Sequence, residues 1–126
     1  MWKTIIVGYD GSEHSKKALR KAEKIALQNQ SHLFIVNVYR ERVTQSFSLD
    51  LLKEAEKNLS SEVNVETISS RNTDVDNELI EIAKKKNADL IIVGSSGLGE
   101  AKSLLLGSVS HAIATNATLD VLIVRK

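Results

Sequence analysis

The chain has 126 residues, 42% hydrophobic and 26% charged, with a formal net charge of +1. That length predicts one domain, residues 1–126, able to bury a real core, and the balanced charge gives no electrostatic case for nucleic acid or an anionic membrane. The absence of cysteine excludes disulfides, thiolate metal sites and cysteine nucleophiles. It also fits a cytoplasmic setting, as does the lack of a secretory leader or of an apolar run near the roughly 20 residues that cross a bilayer.

Apolar runs and helical stripes alternate from end to end. The first predicted strand covers about Thr4 to Tyr9, with Ile5, Ile6 and Val7 consecutive. Ser12 then caps a helix to about Asn29, with Ala18, Leu19, Ala22, Ile25 and Ala26 on one stripe. A second strand follows from His32 to Val38. After a polar connection from about Tyr39 to Ser48 comes a helix with Leu51, Leu52, Ala55 and Leu59 facing inward. Val63 to Ile68 alternates apolar and polar, as a half-exposed edge strand does. Thr73 or Asp74 caps a third helix bearing Val75, Leu79, Ile82 and Ala83, which Lys84, Lys85 and Lys86 end, a placement that complements the helix dipole. The strand Asp89 to Val93, a glycine-rich loop, a helix from Ser108 to Asn116 and a last strand, Val121 to Arg125, complete the chain.

Continuous apolar strands imply burial on both faces, hence a parallel sheet between two helix layers. Right-handed crossovers make this a doubly wound α/β sheet of five strands, and the polar third strand belongs at an edge, giving the order 3-2-1-4-5. In that order a crevice opens between strands 1 and 4 at their carboxyl ends, where such sheets bind ligands. Gly8-Tyr9-Asp10-Gly11-Ser12 ends strand 1, and the segment GSSGLGEAKSLLLGS, Gly94 to Ser108, ends strand 4.

That segment joins a strand to a helix start through Gly94, Gly97 and Gly107, and it carries a hydroxyl, Ser108, at the positive end of the following helix. Bare backbone N–H groups in such a place suit a phosphate. It is neither a Walker loop, since Lys102 does not follow the last glycine, nor the dinucleotide fingerprint, which wants closer glycines after strand 1. Ser108 also serves as a helix N-cap, and Asp10 serves equally as a turn residue or as a ligand group.

On these residues the chain resembles the universal stress protein family along its whole length. Val7-Gly8-Tyr9-Asp10-Gly11-Ser12 resembles that family's opening strand. Val93-Gly94-Ser95-Ser96-Gly97, followed after nine residues by Gly107-Ser108-Val109-Ser110, is similar to the signature of its ATP-binding branch. The resemblance implies ATP accompanied by Mg²⁺ or Mn²⁺, with Asp10 near the ribose or, indirectly, the metal. It implies the Val38 backbone at the adenine edge and Gly94 beside the ribose. The phosphates would then lie on Gly97, Gly107, Ser108 and Val109. It implies homodimers through the last strand as well.

The remaining polar residues carry weaker signals. Arg40 and Arg42 follow strand 2 on the crevice side, and His111 lies one turn beyond Ser108. His14, His32 and His111 show no metal-ligand spacing, and Ser95, Ser96 and Ser110 have no histidine–carboxylate partnership visible in the sequence. Val121 to Val124 forms an apolar edge without proline or inward charge, which a two-fold copy of itself would cover. The expected function is an ATP-binding regulatory module with little or no turnover. The alternatives are a slow ATPase or self-phosphorylating switch using Ser95, Ser96 or Ser110, and a ligand-free dimeric interaction protein.

Overall fold

A computed structural model describes residues 1–96 and 106–125. The elements in chain order are β1 (Thr4–Gly8), α1 (Glu13–Asn29), β2 (His32–Tyr39), α2 (Gln45–Lys57), β3 (Asn64–Arg71), α3 (Val75–Lys85), β4 (Leu90–Gly94), α4 (Ser108–Asn116) and β5 (Asp120–Val124). The strands form one sheet in the order β3-β2-β1-β4-β5, every neighbouring pair parallel. The doubly wound arrangement and its strand order match the expectation.

The consecutive apolar residues of each central strand serve both faces. Ile5 and Val7 point to one side with their partners Leu33, Ile35, Leu90 and Ile92. There they meet Ala18, Leu19, Ala22 and Ala26 of α1 and Leu52 and Ala55 of α2. Ile6 points to the other side with Phe34, Val36, Ile91 and Val93, under Leu79, Ile80, Ile82 and Ala83 of α3 and Ile113 of α4. Each fully buried aliphatic side chain of this set contributes about 2 kcal/mol of transfer free energy. A polar residue on either face of β1, β2 or β4 would therefore cost more than one on β3, whose residues stay half-buried or exposed at the sheet edge.

Local chemistry fixes where the helices begin. Ser12 caps α1, its side chain accepting the Ser15 N–H. α2 starts at Gln45, earlier than the inward stripe of leucines suggests, because Thr44 Oγ1 accepts the Phe47 N–H at 3.1 Å. Asp74 is the N-cap of α3 without a side-chain cap hydrogen bond. α4 departs from expectation: its N-cap is Gly107 and Ser108 is its first helical residue, so Ser108 does not cap the helix. β3 continues through Ser69, Ser70 and Arg71, paired with Asn37, Val38 and Tyr39.

A buried polar chain crosses the carboxyl end of the sheet. Ser48 of α2, fully buried, donates to Asn37 Oδ1 at 2.7 Å. The Ser69 hydroxyl, 2.7 Å from Ser48 Oγ, must therefore donate to it. Asn37 Nδ2 in turn donates to the Tyr9 carbonyl at 2.8 Å. The chain ties α2, β2 and β3 to the residue just ahead of Asp10.

Candidate ligand cavity at the switch point

A cavity of about 420 Å³ opens at the carboxyl ends of β1 and β4, where successive crossovers leave for opposite faces of the sheet. Its volume lies within the roughly 300–1,000 Å³ usual for small-molecule sites. Asp10, Val38, Gly94, Gly107, Ser108 and Val109, all singled out in the sequence, line it together. Gly97 lies outside the described residues. Arg40 lines the cavity, whereas Arg42 and His111 are not among its lining residues. His32 sits at the amino end of β2, the opposite end of the sheet.

The two sides of the cavity differ in chemistry. On the β2 side the wall is mostly apolar: Val38, Val43 and Phe47, joined by Val75 and Leu79 from α3, with Tyr39 and Arg40 at the end of β2 as its polar members. Phe47 keeps 60% of its surface exposed, so a large ring stands at the rim without a core to enter. On the β4 side the lining is Ser96, Gly107, Ser108, Val109 and Ser110. The first backbone N–H groups of a helix have no intrahelical acceptor and carry the positive end of its dipole. In α4 those groups belong to Ser108 and Val109, and no acidic residue occupies its first turn.

Asp10 combines both roles left open for it. Its Oδ1 accepts the Ser12 N–H at 2.9 Å, which shapes the turn into α1. Gly11 holds φ +84° within that turn, a conformation that favours glycine. Asp10 is exposed, and it lines the cavity. Tyr9, directly before it, is buried, which pushes its phenol above the usual value, while Lys16 opposes that shift.

The exit from β4 is held more tightly than the sequence suggests. A Cβ on Gly94 would stand 2.7 Å from the His14 carbonyl carbon and 2.8 Å from its oxygen, so α1 packs on bare backbone there. Gly94 is therefore glycine for the sake of helix packing, whatever ligand lies beside it. The Ser95 N–H donates to Val124 of β5 at 2.9 Å, and the Ser95 carbonyl accepts from Gly107 N at 2.7 Å and Ser110 Oγ at 2.9 Å. His14 Nδ1 lies 2.8 Å from Ser95 Oγ and 3.0 Å from Ser96 Oγ.

This histidine–serine cluster is what sequence reasoning missed. His14 and Ser95 are 81 residues apart, and no spacing rule links them. The topology alone was informative, because it sends the first turn of α1 to the same crevice as the end of β4. Among the described residues no hydrogen bond joins His14 to a carboxylate, and no group of three or more His, Cys, Asp or Glu side chains could hold a metal. No described helix is long and apolar enough to cross a membrane.

An open α/β sheet with a cavity at its switch point defines a class of small-ligand-binding domain, and sequence comparison resolves the class. Residues 1–125 match the model of the Universal stress protein family, and the chain belongs to that family. It is 35% identical to universal stress protein YxiE of Bacillus subtilis, the alignment covering 99% of this chain and 100% of the relative. A universal stress protein of Thermus aquaticus is 33% identical, again over 99% and 100% of the two chains. Among solved structures, a universal stress protein in complex with cAMP superposes with a TM-score of 0.82 at 29% identity, covering 98% of this chain and 97% of its own. The Archaeoglobus fulgidus protein in complex with dAMP, at 18% identity and a TM-score of 0.77 over 97% of each chain, shares the fold.

Proposed function

We propose that this chain is a cytoplasmic adenine-nucleotide-binding module, with ATP as its ligand, that signals by occupancy and turns over little or no nucleotide. The observation that carries the reading is the division of one cavity into an apolar wall and a helix N-terminus with open amides. A purine is flat and apolar on its faces and would lie toward Val38, Val43 and Phe47. Phosphates would lie toward Ser108 and Val109, with Gly97 and Gly107 adding close backbone approach. The relative solved with cAMP, an adenine nucleotide, supports the same class of ligand.

Asp10 is the one carboxylate among the described lining residues. Beside a polyphosphate it would be repulsive, so it suits either ribose hydroxyls or a divalent cation. Mg²⁺ or Mn²⁺ would find a single protein ligand there and take the rest of its shell from phosphates and water. β5, a sheet edge whose Val121, Leu122 and Ile123 are half-buried, would pair with its own copy in a homodimer.

Isothermal titration with ATP and Mg²⁺ tests the reading. Saturable heat at one site per chain supports it, and no heat at millimolar ligand removes it. A self-phosphorylating switch is favoured by one observation, the 3.0 Å approach of Ser96 Oγ, a group of the cavity lining, to His14 Nδ1. There Ser96 Oγ would attack the γ-phosphorus, its proton would pass to His14, and ADP would leave. Label from γ-labelled ATP retained on Ser96 distinguishes that switch from simple binding.

A further inference from the structure

We propose that His14 is a positioning residue, a neutral imidazole whose Nδ1 acts as an acceptor that holds the phosphate-side wall of the cavity in register. The role rests on the nucleotide-binding reading above. His14 itself is not among the lining residues, so its influence on a ligand passes through the residues it holds.

Hydrogen-bond direction fixes the state of the ring. The Ser96 backbone N–H can only donate, and it donates to His14 Nδ1 at 3.2 Å. Nδ1 therefore carries no proton, and the proton of the neutral ring is on Nε2. Ser95 Oγ, 2.8 Å from the same nitrogen, then has to donate as well. A single in-plane lone pair is shared between these two, and Ser96 Oγ lies 3.0 Å from Nδ1 and 3.4 Å from Nε2. An apolar side chain here would leave a buried N–H and a buried hydroxyl without an acceptor.

The position of the ring is equally fixed. Gly94 abuts the His14 carbonyl carbon and oxygen, so the imidazole stands at a set height above the end of β4. From there the restraint continues outward. Ser95, held through its hydroxyl by His14, presents its carbonyl to Gly107 N–H and Ser110 Oγ, and both of those belong to the opening of α4. Ser96, held through its amide, lines the cavity directly. One acceptor atom on α1 thus orients both the strand exit and the helix start whose amides face the cavity.

The test compares His14→Asn with His14→Leu. Asparagine places Oδ1, a fixed acceptor, near the position of Nδ1, while leucine keeps bulk and removes the acceptor. With ATP and Mg²⁺ as the probe, the leucine variant should bind roughly tenfold or more weakly, the expected effect of an unsatisfied buried donor. The asparagine variant should recover most of that loss, which a purely space-filling role would not allow. Nitrogen-15 NMR of the wild-type protein at neutral pH should show Nδ1 unprotonated and Nε2 protonated. A protonated Nδ1, or equal affinity in all three proteins, overturns the proposal. If wild type binds no nucleotide, the ligand reading fails on its own. The amide resonances of Gly107, Ser108 and Val109 then decide the positioning role: they should shift in His14→Leu and return in His14→Asn, and unchanged resonances overturn it.

Discussion

Asp10 Oδ1 accepts the Ser12 N–H at 2.9 Å, so the one described carboxylate facing the cavity also shapes the turn that launches α1. Asparagine retains the acceptor and discards the charge, whereas alanine discards both. Asp10→Ala should lower stability by about 1 kcal/mol, the usual worth of such a side-chain-to-backbone bond, and Asp10→Asn should leave stability near wild type. If Asp10 accepts from ribose hydroxyls or helps to hold a cation, Asp10→Asn should still weaken ATP binding about tenfold, in line with hydrogen bonds to charged groups. Paired urea melts and titrations separate these roles. Undiminished affinity in Asp10→Asn would assign Asp10 to the turn alone.

Gly94 and Gly8 offer a second contrast. A Cβ on Gly94 meets backbone and Cβ atoms of His14 at 2.7–2.8 Å, which cannot rotate away. At Gly8 the nearest atoms are side-chain methyls, Val93 Cγ1 at 3.2 Å and Leu79 Cδ1 at 3.3 Å. Gly94→Ala should push α1 from the sheet and cost about 1–3 kcal/mol, as overpacked sites do. Gly8→Ala should cost less, because side-chain methyls need give by only a few tenths of an ångström whereas backbone atoms cannot. Denaturant midpoints read out the order. Equal stability of the two variants would refute the packing account of Gly94.

The parts of this molecule that the sequence makes legible are those where burial dictates composition. Ile5-Ile6-Val7 and Leu90 to Val93 are apolar without alternation because helices cover both of their faces, and the exposed Glu66 and Thr67 of β3 mark it as an edge. What escapes sequence reading depends on partners distant in the chain. β3 extends to Arg71 because β2 is there to pair with it and Ser69 joins the Ser48–Asn37 chain, not because Ser69 or Ser70 favours a strand. Ser108 looks like a cap by type, but Gly107 holds the extended φ, ψ of −66° and 164° that the N-cap needs, and Ser108 is left one position inside. The crevice residues Asp10, Gly107 and Ser108 could be read from the sequence because each falls in a strand-to-helix connection or at the first residue of the helix that follows it. His14 could not, since its importance comes only from where Ser95 and Ser96 are folded.

The edge formed by β5 predicts an assembly. Val121 and Ile123 pack toward the α3 and α4 side of the sheet, and Leu122 toward α1, yet all three keep part of their surface open. Sedimentation equilibrium should give a mass twice the 13.9 kDa of the chain. Val121→Lys adds the kind of charge that natural edges use to block pairing, and it should give the single-chain mass while keeping the wild-type circular dichroism spectrum. Wild-type protein that stays at the single-chain mass at its highest soluble concentration would eliminate pairing through this edge.

Asp76, in the first turn of α3, gives stability a dependence on pH that can be signed in advance. Burial first, and then a hydrogen bond that the protonated Asp76 carboxyl donates to the Asp74 side chain, raise its pKa above the ordinary 3.8, and the Asp74 charge adds to this while its own backbone amide opposes it. A carboxyl whose folded pKa lies above its unfolded value binds its proton more tightly in the folded state. Its contribution to stability is therefore present at low pH and is lost as pH rises through the window that begins near 3.8. At neutral pH the charged form is the less comfortable one, so Asp76→Asn should raise the thermal midpoint modestly. The advantage should shrink as pH falls and vanish once both states of the wild-type carboxyl are protonated. Asp74→Asn should reproduce part of the gain, because it removes the neighbouring charge but leaves the burial of Asp76 in place. Midpoints recorded for the three proteins from pH 3 to pH 8 settle the matter: a difference that does not change with pH, or one that grows toward acid, contradicts the assignment of Asp76 as the titrating group.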